Sequence, residues 1–154
     1  MSKDKTLTFK TYHVNPLGTW LQGLELPGKQ SRARNRFITD FIGDKSKEIE
    51  EQRQTMLKKY AEKDDKGEPK MKKLPEGDQQ VYDINPANLA KYNDEFVEYM
   101  GEDYIIDVTK AKEADIKVIA DLVLNTEEKF VDKQGNLAAT MYNEWCNVFE
   151  TLNK

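Results

Sequence analysis

The sequence predicts an α+β fold that is mostly α, with one long helix and a helical body that holds a small antiparallel sheet. Residues 29–63 contain no proline and a single glycine, and they are rich in the strong helix formers Glu, Lys, Arg and Gln. Several other segments repeat apolar residues at helical spacing, as amphipathic helices do. Only three short stretches have strand character, at 5–14, 79–84 and 104–108, so any sheet must be small.

The N-terminal segment begins with a predicted strand over residues 5–14. Its apolar positions alternate roughly with threonine and lysine, the pattern of a half-buried strand. They are Leu7, Phe9, Tyr12 and Val14. Asn15 and Pro16 then have the types typical of a helix N-cap and the first helical residue. A short helix is therefore predicted to follow and to end near Leu26.

The long helix carries a narrow apolar seam. Ile42, Ile49 and Met56 recur every seven residues, and Tyr60 follows one turn later. Polar residues interrupt this seam, so it suits pairing with another helix better than burial in a wide core. We expect a partner helix to cover it, which favours self-association of the protein.

The remainder of the chain adds an arm and three more helices. Residues 64–84 contain turn chemistry, a short strand candidate and many charges, and we expect a hairpin-like arm that is mobile. Asn85 and Pro86 again predict a helix start, here for a helix that ends near Gly101. Together the elements predict a single domain over residues 1–154. The last three predicted elements are a strand at 104–108, a central helix at 111–130 and a final helix from Leu137 to Leu152.

Composition and charge narrow the classes of function. The 154 residues are 38% apolar and 34% charged, with a net charge of −4. Residues 1–63 hold 13 Lys and Arg against 8 Asp and Glu, so the acidic excess lies in the second half. This split indicates either a nucleic-acid surface at one end or two halves that attract each other, within a chain or between copies. The longest apolar stretch, 118–124, is too short to span a bilayer, so we expect no membrane partner.

No combination of residues predicts a catalytic site, a zinc site or a cofactor site. His13 and Cys146 are the one histidine and the one cysteine, too few for a zinc centre. A single cysteine also rules out an internal disulfide and fits a reducing compartment. A nucleophile and base formed by Cys146 and His13 is a weak alternative, and a carboxylate-only Mg²⁺ site stays open. We therefore expect no enzyme activity, no metal and no cofactor.

A basic stripe marks the start of the long helix. Lys29, Arg32 and Arg36 fall together on a helical wheel, opposite the apolar patch of the same helix. Cations in the first turns of a helix are disfavoured by its macrodipole, so the position of the stripe needs an explanation. It predicts an anion or nucleic-acid contact surface, or ion pairing with the acidic half of the chain. Arg34 falls on the apolar side and is expected to reach a carboxylate of that half.

Three stretches resemble a known family. They are residues 28–34 (GKQSRAR), 59–64 (KYAEKD) and 142–150 (YNEWCNVFE). In the same order and over nearly the whole chain, they resemble a family of small uncharacterised proteins from tailed phages and prophages of Gram-positive bacteria. The resemblance implies a phage gene product made in the bacterial host cytoplasm, with association to the virion left open. It carries over no catalytic residues.

These observations lead to one functional expectation and one alternative. We expect a non-enzymatic phage accessory or assembly protein that acts through protein–protein interaction and oligomerisation, with itself and other phage proteins as partners. The alternative is a nucleic-acid-binding accessory protein that uses Lys29, Arg32 and Arg36.

Overall fold

The computed structural model describes residues 5–153 and confirms the predicted class. Helices take 59% of the described residues and strands 16%, and the strand pairs among these residues are small and antiparallel. The strands are β1 Lys5–Lys10, β2 Met71–Lys73, β3 Gln80–Tyr82, β4 Asp103–Val108, β5 Asp132–Lys133 and β6 Asn136–Leu137. The helices are α1 Thr11–Gln22, α2 Gly28–Phe37, α3 Asp44–Tyr60, α4 Pro86–Met100, α5 Glu113–Leu124 and α6 Ala138–Glu150.

The structure groups into two compact units. One extends to Ser46 and resumes at Glu102, and the other comprises Lys47–Gly101. The single-domain organisation stays a prediction. Within residues 5–153, no helix combines the length and the apolar composition that crossing a membrane requires.

The first unit is built on the pairing of β1 with β4. Leu7 lies opposite Ile106 in the antiparallel register, and both side chains are buried. Phe9 is buried beside them and meets the ring of Phe149 on α6 edge to face, with 5.5 Å between ring centroids. The inner face of this two-stranded sheet therefore packs against the last helix, and the predicted strand at 104–108 is confirmed.

The predicted strand at 5–14 is too long, because α1 begins at Thr11. The amide and the hydroxyl of Thr11 both donate to the carbonyl oxygen of Glu102, each at 2.9 Å, at the end of the strand pairing. The N–H of Lys10 then donates to Nδ1 of His13 at 2.9 Å, which caps the new helix. Asn15 and Pro16 consequently lie inside α1, and the predicted N-cap there is wrong.

The predicted long helix is confirmed. It runs from Gly28 to Tyr60 as α2, a π-helical stretch at Ile38–Gly43, and α3. In the first unit its α2 part packs against α5, and Ile42 contacts Gly18 of α1.

The apolar seam of the long helix is buried within one copy of the chain. Ile42, Ile49 and Met56 are at most 8% exposed, and Tyr60 is half-buried. In the second unit α4 meets α3, where Tyr99 donates from its hydroxyl to Glu48 at 3.3 Å. The seam is therefore already covered within one copy of the chain, and self-association needs a different surface.

The second unit also holds the arm and its neighbouring helix. Residues 71–82 form an antiparallel hairpin in which Met71 lies opposite Tyr82. The hairpin form of the arm is therefore confirmed, while its mobility stays a prediction. Asn85 caps α4, because its side-chain oxygen accepts from the N–H of Asn88 at 2.8 Å, and Pro86 is the first helical residue as predicted.

The C-terminal part of the first unit differs from the prediction in one element. The central helix α5 is shorter than predicted and ends at Leu124, where both nitrogens of Asn125 donate to the carbonyl oxygen of Asp121. Between α5 and α6 the chain forms the tight hairpin of β5 and β6, with Gly135 at φ 79°. Helix α6 follows as predicted and buries Trp145 and Phe149.

Candidate functional site

A cleft of about 630 Å³ lies in the first unit, between α1, α6, β6 and the segment that precedes β5. Its apolar lining residues are Pro16, Trp20, Phe130, Leu137, Met141 and Trp145. Its polar lining residues are Asn15, Thr19 and Asn136. Among the described residues, no charged side chain lines it. Clefts of this size and apolar character are typical binding sites.

Aromatic rings form one wall of the cleft. Trp20 lies with its ring centroid 5.9 Å from that of Trp145 and 6.3 Å from that of Phe130. Phe130 stacks on Tyr142 with 4.5 Å between centroids. The indole N–H of Trp20 donates to Glu128 at 2.6 Å, so the ring is held in place. Such a wall offers flat apolar surface at a small cost in side-chain entropy.

Two hydrogen-bonding groups behind this wall differ in how they are satisfied. The hydroxyl of Tyr142 donates to the carbonyl oxygen of Val123 at 2.6 Å, and burial, followed by the neighbouring Cys146, raises the pKa of Tyr142 to about 12. The indole N–H of Trp145 is buried and has no hydrogen-bond partner among residues 5–153. A buried donor left unpaired costs about 1–3 kcal/mol, so an acceptor brought to it would lower the free energy.

The rim of the cleft exposes apolar side chains. Leu137 is 62% exposed, and Val131 on the neighbouring segment is 59% exposed. Exposed apolar surface beside an apolar cleft marks an interaction site more often than isolated exposed residues do. The arrangement can therefore bury an apolar ligand, while Asn15, Thr19 and Asn136 offer hydrogen bonds that need no charge.

Three titratable residues of α1 and α6 form a hydrogen-bonded cluster. The hydroxyl of Tyr12 donates to one carboxylate oxygen of Glu144 at 3.0 Å, and Nε2 of His13 lies 3.3 Å from the other. Because Nδ1 of His13 accepts from the Lys10 amide, the proton of the neutral ring belongs on Nε2. Burial lowers the pKa of His13, and the hydrogen bond to Glu144 opposes that shift.

The cluster does not form the nucleophile and base considered from the sequence. Within residues 5–153, His13 hydrogen-bonds to Lys10 and Glu144, while the side chain of Cys146 neighbours Tyr142. In the same described part of the chain, no group of three or more His, Cys, Asp or Glu residues is placed to hold a metal ion. The polar atoms of His13 and Glu144 thus join α1 to α6.

The basic stripe is only partly available for contacts. Lys29 and Arg32 are exposed and form no ion pair within the described part of the chain. Arg36 instead donates two hydrogen bonds to the carboxylate of Asp115 on α5, at 2.7 and 2.8 Å. These bonds lower the pKa of Asp115. The structure thus brings the third residue of the stripe to the acidic half of the chain.

The prediction that Arg34 reaches a carboxylate of the acidic half is wrong. Its guanidinium donates to the carbonyl oxygens of Leu21 and Leu24, at 3.0 and 2.5 Å, and to the hydroxyl of Ser31 at 3.1 Å. These carbonyls lie where α1 ends, and a helix end leaves such groups without intrahelical partners. Arg34 therefore closes the end of α1 rather than neutralising a carboxylate.

Comparison with models of known protein families, with curated proteins and with solved structures finds no match for the chain. The cleft was not predicted from the sequence, although Trp20 and Trp145 lie within two of the predicted helices. A pair of tryptophans on two amphipathic helices is the signal that points to it. Function is therefore inferred from the surfaces of this chain itself.

Proposed function

We propose that this chain is a non-enzymatic interaction protein that binds a partner protein through the aromatic cleft and also binds further copies of itself. The observation that carries the proposal is the cleft, an apolar aromatic site with an exposed apolar rim. The cluster of Tyr12, His13 and Glu144 supports the non-enzymatic reading, because its polar atoms are engaged in capping α1 and joining it to α6.

The occupant that fits the cleft best is an uncharged, apolar segment of another protein. A charged ligand would lose its hydration there without gaining an opposite charge, which is costly. Proline and leucine side chains would pack on Trp20 and Phe130, and backbone groups of the segment would meet Asn15 and Asn136. With the family resemblance added, the proposal is an accessory or assembly protein of a phage, made in the bacterial host cytoplasm.

A fluorescence titration tests the cleft directly. The probe is an acetylated and amidated peptide of alternating proline and leucine, and the tryptophan emission of the full chain is the signal. We expect a saturable change in emission with the natural chain and its loss with Leu137→Asp, which puts a charge on the rim. Val97→Asp is the matched control, since Val97 is 70% exposed on α4, outside the cleft, and should leave binding unchanged. Absence of binding at millimolar peptide, or equal binding by Leu137→Asp, contradicts the proposal.

A second candidate function is nucleic-acid binding through the basic stripe, favoured by the exposed and unpaired state of Lys29 and Arg32 in the described chain. A gel shift with a single-stranded oligonucleotide at low salt tests it. Retention should disappear in Lys29→Glu/Arg32→Glu and persist in Lys133→Glu, a lysine of β5. Because two cations are available and each contributes about −0.7 on a single strand, a plot of the logarithm of affinity against the logarithm of salt concentration should have a slope of about −1.4. No retention at low salt removes this candidate.

A further inference from the structure

Strand β4 leaves one edge open. It pairs with β1 alone, and the bond from Thr11 to Glu102 fixes the alternation of that ladder. Hydrogen-bonded pairs in an antiparallel ladder recur at every second residue, so the backbone groups of Asp103, Ile105 and Asp107 point away from β1. None of these groups has another backbone partner within residues 5–153. The side chain of Ile105 is 58% exposed at this edge.

Strand β2 also leaves one edge open. Its lysines give that edge a charge opposite to that of Asp103 and Asp107 on β4. It pairs with β3 alone, and the N–H of Leu74 donates to Gln79 while that of Asp83 donates to Lys70. By the same alternation, the backbone groups of Met71 and Lys73 point away from β3. They too have no other backbone partner in the part of the chain that is described. Met71 is 46% exposed, and all three residues of the strand are exposed.

We propose that copies of the protein associate head to tail, with the open edge of β4 in one copy pairing antiparallel with the open edge of β2 in the next. This inference rests on the proposed function, whose self-association it assigns to a surface. One register joins outward-pointing residues on both sides, with Ile105 opposite Met71 and Asp103 opposite Lys73. Cross-strand neighbours of these kinds, apolar with apolar and acid with base, stabilise a sheet.

Charge explains why unlike edges meet. Two β2 edges in antiparallel contact would bring lysines together, and two β4 edges would bring Asp103 against Asp107 of the other copy. Like charges directly opposite destabilise a strand pair, and lysine on an edge strand is a common guard against such pairing. Asp103 already forms an ion pair with Lys10 at 2.6 Å, but that pair is about half exposed and worth little, so the carboxylate can also serve Lys73.

The pairing is heterologous, since each copy uses two different edges. Such contacts produce a closed ring or an open fibre, depending on whether the repeated rotation closes. The β2 edge has only three residues, so the association should depend on protein concentration. A nucleic acid is a poorer occupant of the lysine edge, because outward N–H and C=O groups and the apolar Met71 suit a peptide strand.

Light scattering over a range of concentrations, with charge-reversal variants, tests the pairing. The natural chain should show a mass that rises with concentration, and Lys73→Asp and Asp103→Lys should each need at least about tenfold more protein, because like charges then face each other. The variant that carries both changes should regain association, since acid and base are exchanged. An equal mixture of the two single variants should also associate, with the two variants alternating, because each edge of one variant then meets an edge of opposite charge on the other. Lys133→Asp, on β5, is the matched control and should behave as the natural chain does.

One further pair of variants separates the backbone contribution from the charge contribution. Lys73→Pro removes an outward N–H without touching the ladder to β3, and it should abolish association, whereas Lys73→Gln should weaken it less. Three results would overturn the inference: a strict monomer at high concentration, association that survives all Lys73 and Asp103 variants, or association lost only with Leu137→Asp. Loss of association together with intact peptide binding at the cleft would leave the proposed partner binding standing.

Discussion

Gly18 on α1 and Ile42 on the long helix touch so closely that only glycine fits. A Cβ built on Gly18 would lie 2.8 Å from Cγ2 of Ile42, closer than real Cβ contacts come. Both residues are buried, and Ile42 is the first position of the apolar seam. This close approach sets how α1 lies against the long helix in the first unit, and α1 carries Trp20 and Pro16 to the cleft.

We expect Gly18→Ala to destabilise the protein. The forced shift of Ile42 should cost about 1–3 kcal/mol, and the better helix propensity of alanine should offset about 1 kcal/mol of that cost. Urea unfolding measures the change. Gly28→Ala is the control, since nothing lies within 4 Å of a Cβ placed there, and it should cost nothing. In the background of Ile42→Ala the same Gly18→Ala change should be much cheaper, because Cγ2 is gone. Equal costs in the two backgrounds would show that Ile42 does not set the approach.

We also expect stability to fall as the pH drops below about 6.5, because of His13. Its folded pKa is lowered by burial from the ordinary value of 6.5, so the unfolded chain takes up a proton before the folded chain does. Above pH 6.5 both states are neutral at this residue and no penalty exists. Below the folded pKa the whole penalty is present. Protonation also removes the acceptor that Nδ1 offers to the Lys10 amide, which weakens the start of α1.

The measurement uses the fact that the chain has a single histidine, so an NMR titration reports His13 without ambiguity. Unfolding free energies at pH 7.5 and 5.5 are then compared for the natural chain and His13→Gln. Glutamine at this helix position can still accept from the N-cap amide but does not titrate. The natural chain should lose more stability than the variant. A His13 pKa at or above 6.5, or the same pH dependence in both proteins, contradicts the expectation.

The two Asn-Pro pairs show which helix starts the sequence can predict. Asn85 and Pro86 begin α4 as local chemistry requires, since the cap is made by Asn88 three residues away. Asn15 and Pro16 carry the same local signal and fail. Helix α1 begins earlier, at Thr11, where the pairing of β1 with β4 ends in a bond to Glu102, 91 residues away, and no local pattern contains that contact.

The cleft could not be predicted from the sequence for the same physical reason. The sequence places Trp20 and Trp145 on amphipathic helices, but it does not say that α1 and α6 lie side by side. The tilted contact of the two rings at 5.9 Å joins positions 125 residues apart and depends on the packing of the whole first unit. The seam could be predicted because Ile42, Ile49 and Met56 lie on one helix. The element that covers the seam could not be predicted.

Removal of the cap that Arg34 forms should be costly. Arg34→Ala leaves the carbonyls of Leu21 and Leu24 without this donor, and we expect a loss of about 1–3 kcal/mol in the free energy of unfolding. Arg34→Lys should restore only part of it, since one ammonium cannot reproduce the planar fork. Arg32→Ala, two residues earlier and exposed, is the control and should stay within about 0.5 kcal/mol. If the Arg32 and Arg34 variants are alike, the cap contributes nothing measurable.

Trp145 should contribute more to stability than any residue of the rim. It is 4% exposed and contacts the rings of Trp20 and Tyr142, so Trp145→Ala should cost about 3–5 kcal/mol. Trp145→Phe keeps most of the apolar volume and deletes an N–H that has no partner in residues 5–153, so its cost should be clearly smaller. Leu137→Ala, at the exposed rim, should change stability by no more than about 0.5 kcal/mol. Urea unfolding of the three variants measures these costs. A cost below about 1 kcal/mol for Trp145→Ala would show that this residue is not part of the core and that the cleft lacks a rigid wall.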